Sequence, residues 1–353
     1  MGIKTCLVYA RNLICYPRIT VAAVYHRVRI RLFHRFTGRP TILFKCGGAI
    51  GDIICSFPAV LALRLRYPRA LIIYAVRREW LQLVKMGKVA DYVVESDWSA
   101  IAPKVCLHDY TMYFHPLLAD QGPPGRKHPH LVDDYCETLK LIPKSRQPVL
   151  YVPDDLLKSA KDETIEFRSS GHLVIGIHVG PTWTVRQWPA ENWEKLVSLL
   201  HERFLCTIVQ LGVDFDSAKG KVLVPRIKGT LDWVGKFNLG ETIALVKTLD
   251  ILIGIDSSLL HVAGAVGTPS IGLFGPVDPA LRLPPETLSA AVTAQVPCLG
   301  CHHRTPVLHW RDDCPFSIAC MKQLRPEAVG DAVCLMMEEL QSSGKLSAMV
   351  QQK

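Results

Sequence analysis

The sequence predicts an α/β fold in two halves, each built on a parallel sheet, and three observations lead there. The chain has 353 residues, more than a single core comfortably fills. Short apolar runs alternate with helix-period patterns in both halves, as βαβ units do. Glycines and small polar residues recur where those runs pass into helices, the positions at which open α/β sheets bind ligands. With 49% hydrophobic and 21% charged residues, the composition is that of a folded globular chain.

In the first half, 41-TILFKC-46 reads as a buried strand, 47-GGAIGD-52 as a turn, and Ile53 to about Arg66 as an apolar-periodic helix. Further strands are expected at 71–76, 91–95 and 110–114. The stretch 115–130, with four prolines and three histidines, reads as a long loop. A helix is expected over 131–142, and then a linker rich in charge and proline as far as about Ser170. The second half alternates again: a strand at 173–177, a turn at 178–189, a helix at 190–204, a strand at 206–211, a helix at 240–249 and a strand at 250–255. Another turn and helix follow, then a strand at 270–274. The expected division is a basic amphipathic segment 1–39, a first domain 40–168, a second domain 169–325 and a C-terminal helix and tail 326–353. The site is expected in the cleft between the halves.

The net charge of +9 is confined to the N-terminus, because residues 1–51 hold nine Lys or Arg and no Asp or Glu. Basic residues interleaved with Val21, Val24, Tyr25, Val28, Leu32 and Phe36 suit an amphipathic helix lying on a surface. Attraction to anionic lipid is worth roughly 1 kcal/mol per basic residue near the headgroups. A solvated helix packed on the first domain fits the same pattern, and an Arg-rich transit peptide is a minority alternative. No nucleic-acid-binding signature accompanies the charge, so nucleic acid is not an expected partner. Apolar runs are too short to span a bilayer, and Arg11 spoils a signal peptide. The expected location is cytoplasmic, peripheral to the inner face of the cytoplasmic membrane.

Three constellations carry chemistry. Gly47, Gly48, Gly51 and Asp52 end the first strand. Glycines there admit close approach of a phosphate or sugar, and Asp52 stands at a helix start, where by residue type alone it serves equally well as an N-cap. In 180-GPTWTVRQWP-189, Gly180 opens a turn, Thr182 and Thr184 offer hydroxyls, and Arg186 can fork onto phosphate oxygens. Arg186 also reads as a solvated charge, and Trp188 as packing. In 256-DSSLLHVAGAVGTPSIGLFGPVDP-279, Asp256 ends a strand and Ser257 and Ser258 begin a helix whose open N–H groups suit a diphosphate. His261 lies one turn along, and Ala263, Gly264, Ala265 and Gly267 allow tight packing.

In this order the stretches resemble glycosyltransferase family 9, the ADP-heptose:lipopolysaccharide heptosyltransferases. Gly51-Asp52 with Pro58 match the family's G-D turn and helix, and Gly180, Thr182, Arg186, Trp188 and Pro189 match its mid-chain segment. Asp256, Ser257, His261, Ala265 through Pro269 and Phe274 through Pro279 match its D-(S/T)-G-x-x-H and F-G-P regions. Cys298 to Met321, then Pro326, Glu327 and Val329, match a cysteine segment and helix often found there. The resemblance implies a GT-B fold of two Rossmann-like domains with parallel sheets facing a central cleft, and inverting, metal-independent transfer of a heptose. Asp52 is then the general base, and Arg186 stabilises the departing diphosphate. Gly51, Gly180, Thr182, Thr184, Asp256, Ser257, Ser258 and His261 bind the donor. The implied partners are a nucleotide-sugar donor, ADP-heptose, and a glycan or lipid-linked acceptor of the lipopolysaccharide-core type. Two positions depart from the pattern: Arg186 replaces the usual Lys, and Ser258 the usual Gly.

Twelve cysteines in a chain without an export signal suggest reduced thiols. Four of them, Cys298, Cys301, Cys314 and Cys320, have spacing compatible with a structural zinc or iron site, with His302, His303 or His309 as substitute ligands. Some protein-modifying heptosyltransferases resemble this in carrying an iron-bound cysteine finger. No cofactor is expected for catalysis. The alternatives are a protein O-heptosyltransferase, an epimerase, for which Asp52 alone is well placed where two faces need acid/base groups, and an idle sugar-nucleotide binder.

Overall fold

The computed structural model describes residues 41–46, 48–95, 109–113, 129–180, 183–217, 220–303 and 314–344. The basic segment 1–39, Gly47, Thr182, His309 and most of the 115–130 stretch lie outside the described residues. The chain divides into two compact units, Met1–Pro116 with Tyr135–Lys144, and Leu117–Asp134 with Ser145–Lys353. The division is therefore not a single cut.

The first unit holds a four-stranded parallel sheet. Its strands are β1 (Thr41–Lys45), β2 (Leu71–Val76), β3 (Tyr92–Glu95) and β4 (Asp109–Tyr113), in the order β3-β2-β1-β4. Every residue of β2 is buried, as expected of a parallel strand covered on both faces. Helix α1 (Ile50–Arg66) crosses from β1 to β2 and buries Ile53, Ile54, Phe57, Val60 and Leu63. It starts three residues earlier than the apolar period suggests, because Ile50 and Gly51 complete its first turn. Helix α2 (Leu81–Gly87) leads to β3, and α3 (Leu131–Thr138) ends four residues before the expected 142. Lys140, at φ +53°, bends the chain away from helix.

The second unit holds six parallel strands in the order β12-β11-β10-β5-β6-β9. They are β5 (Leu173–His178), β6 (Cys206–Gln210), β9 (Leu231–Asp232), β10 (Ile251–Ile255), β11 (Ser270–Phe274) and β12 (Ser289–Thr293). A small antiparallel pair, β7 (Phe215–Ser217) with β8 (Gly220–Val222), stands apart. Counted within its own unit, each sheet runs 3-2-1-4, and the second continues to 5 and 6. In both, the strand order reverses beside the first strand, between β1 and β4 and between β5 and β10. Such reversals leave a crevice at the carboxyl ends of the flanking strands.

The helices of the second unit are α4 (Asp154–Ser169), α5 (Ala190–Arg203), α6 (Leu239–Thr248), α7 (Ser258–Val266), the short α8 (Ala319–Lys322) and α9 (Pro326–Ser342). Helix α4 replaces most of the expected linker. It buries only Ala160 and Thr164, one turn apart, and packs on α6, so its sequence carries almost no apolar stripe. Helix α9 packs on α5 through Val329, Val333, Met336, Met337 and Leu340, a helical spacing. Strand β12, with no fully buried residue, gave no apolar run to read.

Each unit locks its strands with the same device. In the first, the Asp91 carboxylate accepts the Ile72 N–H at 2.7 Å and the Arg64 guanidinium at 2.6 Å. In the second, Asp250 accepts the Val174 N–H at 2.7 Å and Arg168 at 3.2 Å.

Two histidines of the second unit are buried in neutral form. The His130 Nδ1 accepts the Val132 N–H at 3.1 Å, so its Nε2 carries the proton and donates to the Leu283 carbonyl at 2.9 Å. Burial above all, then the charge of Arg146, lowers its pKa to about 4 against the help of the Leu283 carbonyl. Burial, then the charges of Arg282, His130 and Arg186, lower that of His261 to about 3. The unfolded chain takes up these protons near pH 6.5 and the native one only near 3 to 4, so the unfolded state binds more protons in between. Stability is complete above about pH 6.5 and falls as pH drops, by up to about 1.4 kcal/mol per pH unit for each histidine. Thermal melts at pH 7 and pH 5 should show a lower Tm at pH 5, and a smaller difference in His130→Gln. Equal Tm values at the two pH values would contradict neutral burial.

Candidate functional site

The loop after β1, at the reversal in the first sheet, carries Asp52. Asp52 occupies the third position of α1 and is not its N-cap. Its Oδ2 accepts the Ala49 N–H at 2.8 Å, which satisfies one open donor of the helix start and places negative charge where the helix dipole favours it. Its side chain lies over Gly48, where an added Cβ would come 2.1 Å from the Asp52 Cβ. Only glycine at position 48 leaves the carboxylate where it is. Gly51 is buried in the same turn.

Behind Asp52 the Cys46 Sγ lies 3.4 Å from the Tyr135 hydroxyl, and the Tyr74 hydroxyl 2.8 Å from Ser56 Oγ. Burial raises the pKa of all three ionisable groups, Cys46, Tyr74 and Tyr135, and the nearby Asp52 charge raises each further. These groups stay protonated at neutral pH. The half-buried Asp52 is the carboxylic acid beside this group.

The reversal in the second sheet brings together the loops after β5 and β10. From the first comes Arg186, from the second Asp256. The Arg186 Nη1 donates to the Asp256 carbonyl at 3.1 Å and lies 3.2 Å from its Oδ2. Their side chains are only 14% and 6% exposed, so Arg186 is no solvated surface charge. The Arg186 guanidinium also lies over the Trp183 ring, 3.8 Å from its centroid. Ser257 caps α7 without bonding its N–H groups, and among the described residues its buried Oγ has no hydrogen-bond partner. Ser258 is the first residue of α7, and His261 is buried one turn on. Gly264 lets α7 meet Pro284, since a Cβ there would come 2.4 Å from the proline Cβ. Thr184 is exposed, and Gly180 packs toward Val224 and His178. Trp188 is buried, its indole N–H donating to the Leu324 carbonyl at 3.0 Å, and it packs edge-on against Trp193.

Arg186, Asp256, Ser257, Ser258 and His261 thus gather in the second unit, and Asp52 belongs to the first. Arg282 and His130, close enough to shift His261, are not singled out by the sequence, nor is Trp183, and His302 is read there only as a substitute metal ligand. Trp183 stands three residues before Arg186, and His302 directly follows Cys301, which are the signals available for them.

Cys298, Cys301 and Cys314 are partly exposed and Cys320 is buried. Burial first, then the Cys298, Cys301 and Cys314 thiols, push the Cys320 thiol up to about 12. The other three are thus within electrostatic reach of Cys320. Among the described residues, no three His, Cys, Asp or Glu side chains are gathered as metal ligands. His302, expected as a substitute ligand, instead stacks on Trp183, with ring centroids 5.1 Å apart and planes 19° apart. Among the described residues, no helix is long and apolar enough to cross a membrane.

The fold is shared with solved glycosyltransferases of the GT-B type. The E. coli ADP-heptose lipopolysaccharide heptosyltransferase II superposes with a TM-score of 0.61 at 17% identity, over 85% of this chain and 99% of that one. The iron-containing dodecameric glycosyltransferase TibC from enterotoxigenic E. coli gives a TM-score of 0.62 at 16% identity, over 86% of this chain and 80% of that one. In sequence, the chain is 27% identical over 96 residues to lipopolysaccharide heptosyltransferase 1 of Salmonella typhimurium, which is 27% of this chain and 30% of the relative. The chain spans about a third of the length of the curated relatives it matches. The crevice motifs from Gly180 to Pro279 fall within residues 123–310, and that stretch, over half the chain, matches glycosyltransferase family 9 (heptosyltransferase), the family to which this protein belongs.

Proposed function

We propose that the protein transfers a heptose from ADP-heptose to an acceptor hydroxyl of the lipopolysaccharide-core type, with inversion and without a catalytic metal. The observation that carries this reading is the Arg186–Asp256 pair beside the open N-terminus of α7, where the buried Ser257 hydroxyl has no partner among the described residues. A forked cation, a hydroxyl and exposed helix N–H groups form an electropositive cradle for a nucleoside diphosphate. The solved relative of the same fold that is named for ADP-heptose supports the choice of donor.

In this reading the bond from the anomeric carbon to the diphosphate breaks as the acceptor oxygen attacks from the opposite face. The electron pair leaves with the diphosphate, where Arg186 and the start of α7 stabilise it. Asp52 takes the proton of the attacking hydroxyl. Its carboxylate suits that role because the neighbouring Cys46, Tyr74 and Tyr135 are held protonated. Gly51, Gly180, Thr182, Thr184 and the neutral His261 are assigned to donor binding in this reading.

Two further proposals concern the rest of the chain. The thiols of Cys298, Cys301, Cys314 and Cys320 hold a structural zinc or iron, a reading supported by their spacing in the sequence and by the fold shared with an iron-containing glycosyltransferase. Residues 1–39 dock the protein on the cytoplasmic face of an anionic membrane, supported by the confinement of the net charge to residues 1–51.

Asp52→Asn is expected to slow transfer from ADP-heptose to a core-lipid acceptor by about 10²–10⁴-fold with ADP affinity retained. Arg186→Ala should weaken both ADP binding and transfer. Unchanged turnover in Asp52→Asn would remove it as the base, and unchanged ADP affinity by calorimetry in Arg186→Ala would remove the cradle. For the metal, elemental analysis of purified protein should find zinc or iron near one per chain, lost together with thermal stability in Cys301→Ser. Metal-free, fully stable wild-type protein would end that proposal. A protein lacking residues 1–39 should no longer co-sediment with anionic vesicles, and salt should release the full-length chain. Equal sedimentation of both forms would rule out docking.

A further inference from the structure

Two side chains stack on Trp183: the Arg186 guanidinium lies over its ring, 3.8 Å from the centroid, and the His302 imidazole lies 5.1 Å away and within 19° of parallel. His302 is buried and arrives from a distant part of the chain, at the end of the cysteine turn. That turn is fastened to the segment after β11: the Gly300 N–H donates to the Gly275 carbonyl at 2.9 Å and the His302 N–H to the Pro276 carbonyl at 2.7 Å. Within it the Cys301 N–H donates to the Cys298 carbonyl at 3.1 Å, and Gly300 takes φ +68°. Gly275 leaves room for Cys320, since a Cβ there would come 2.8 Å from the Cys320 Sγ.

We propose that Trp183 and His302 are positioning residues: the indole on which the Arg186 guanidinium lies, braced by the stacked His302 imidazole, holds the diphosphate-binding guanidinium in place. Resting on the donor-site reading of Arg186, this makes the cysteine turn that presents His302 a support of that site. The physical reason lies in the shape of the guanidinium. A flat, weakly hydrated cation stacks by its face and keeps its N–H donors in the plane. With one edge on Asp256 and one face on Trp183, rotation about the side chain is fixed in two directions. The in-plane donors then meet a phosphate at little further entropic cost. A lysine, the residue that the family resemblance leads one to expect at this position, has no face to stack and draws nothing from Trp183. Arg186 and Trp183 therefore belong together, and His302 stacks on the same indole.

The test is ADP affinity by calorimetry on the full-length chain, with thermal melts confirming that each variant folds. Trp183→Ala should weaken ADP binding on the order of tenfold, and His302→Ala should weaken it measurably. The ring-preserving Trp183→Phe and His302→Phe should restore most of the loss, which a general packing defect would not. Arg186→Lys should cost on the order of tenfold in the wild-type background and little further in Trp183→Ala, because the two residues are coupled. Wild-type affinity in folded Trp183→Ala and His302→Ala would overturn the inference, as would an Arg186→Lys loss of equal size in both backgrounds. Failure of the donor-site reading shows separately, as unchanged ADP affinity in Arg186→Ala, and the inference falls with it.

Discussion

The Arg186–Asp256 ion pair is the constraint on which the second unit's crevice depends. Both side chains are largely withdrawn from water, and charges in that state are tolerated only when each compensates the other; leaving one of a buried pair alone costs about 3–5 kcal/mol. The pair spans the sheet reversal, since Arg186 comes from the loop after β5 and Asp256 from the end of β10. It thereby ties two loops that the topology brings together but no backbone hydrogen bond needs to join. The Ser257 cap and the start of α7 follow directly from Asp256, so the same tie sets where the open helix N-terminus faces.

Around that pair, the two units solve one problem with one device. A parallel strand must begin in register with its neighbour although the chain arrives from a helix on the far side. In each unit an aspartate just before a strand accepts the N–H of the second residue of the adjacent strand and an arginine from a helix's last turn, Asp91 with Ile72 and Arg64, Asp250 with Val174 and Arg168. These partly exposed pairs act chiefly through the backbone N–H they satisfy, because exposed ion pairs alone contribute little. With the amino ends so anchored, the carboxyl ends are left for chemistry.

The crevices differ in charge. In the first unit a carboxylate stands before a buried group of protonated Cys and Tyr side chains. In the second, Arg186 pairs with Asp256 just before α7, and Arg282 and His130 lie within electrostatic reach of His261 in that helix. The proposed displacement needs a site that accepts a proton and a site that accepts an anion, and the proposal assigns the first role to Asp52 of the first unit and the second to Arg186 of the second.

Much of this was legible in the chain, because fully buried strands such as β5, β10 and β11 are continuous apolar runs and the turns between strands and helices carry glycine and hydroxyl residues. Asp52, Arg186, Asp256 and Ser257 could be singled out because their residue types are costly at a crevice without a use. Helix α4 escaped because two buried residues, Ala160 and Thr164, leave no period to detect, and β12 because none of its residues is fully buried. Local sequence also could not tell an N-cap aspartate from one at the third helical position, since both serve the same open N–H groups. The sequence by itself determined the alternation of strands and helices and the residue types at the turns. Only the tertiary structure decided that Arg186 pairs with Asp256, that His302 crosses from the cysteine turn to the Trp183 indole, and that His130 and His261 are neutral. Those are contacts between residues dozens to more than a hundred positions apart, and no local period or propensity encodes which distant side chains a sheet will bring to one edge.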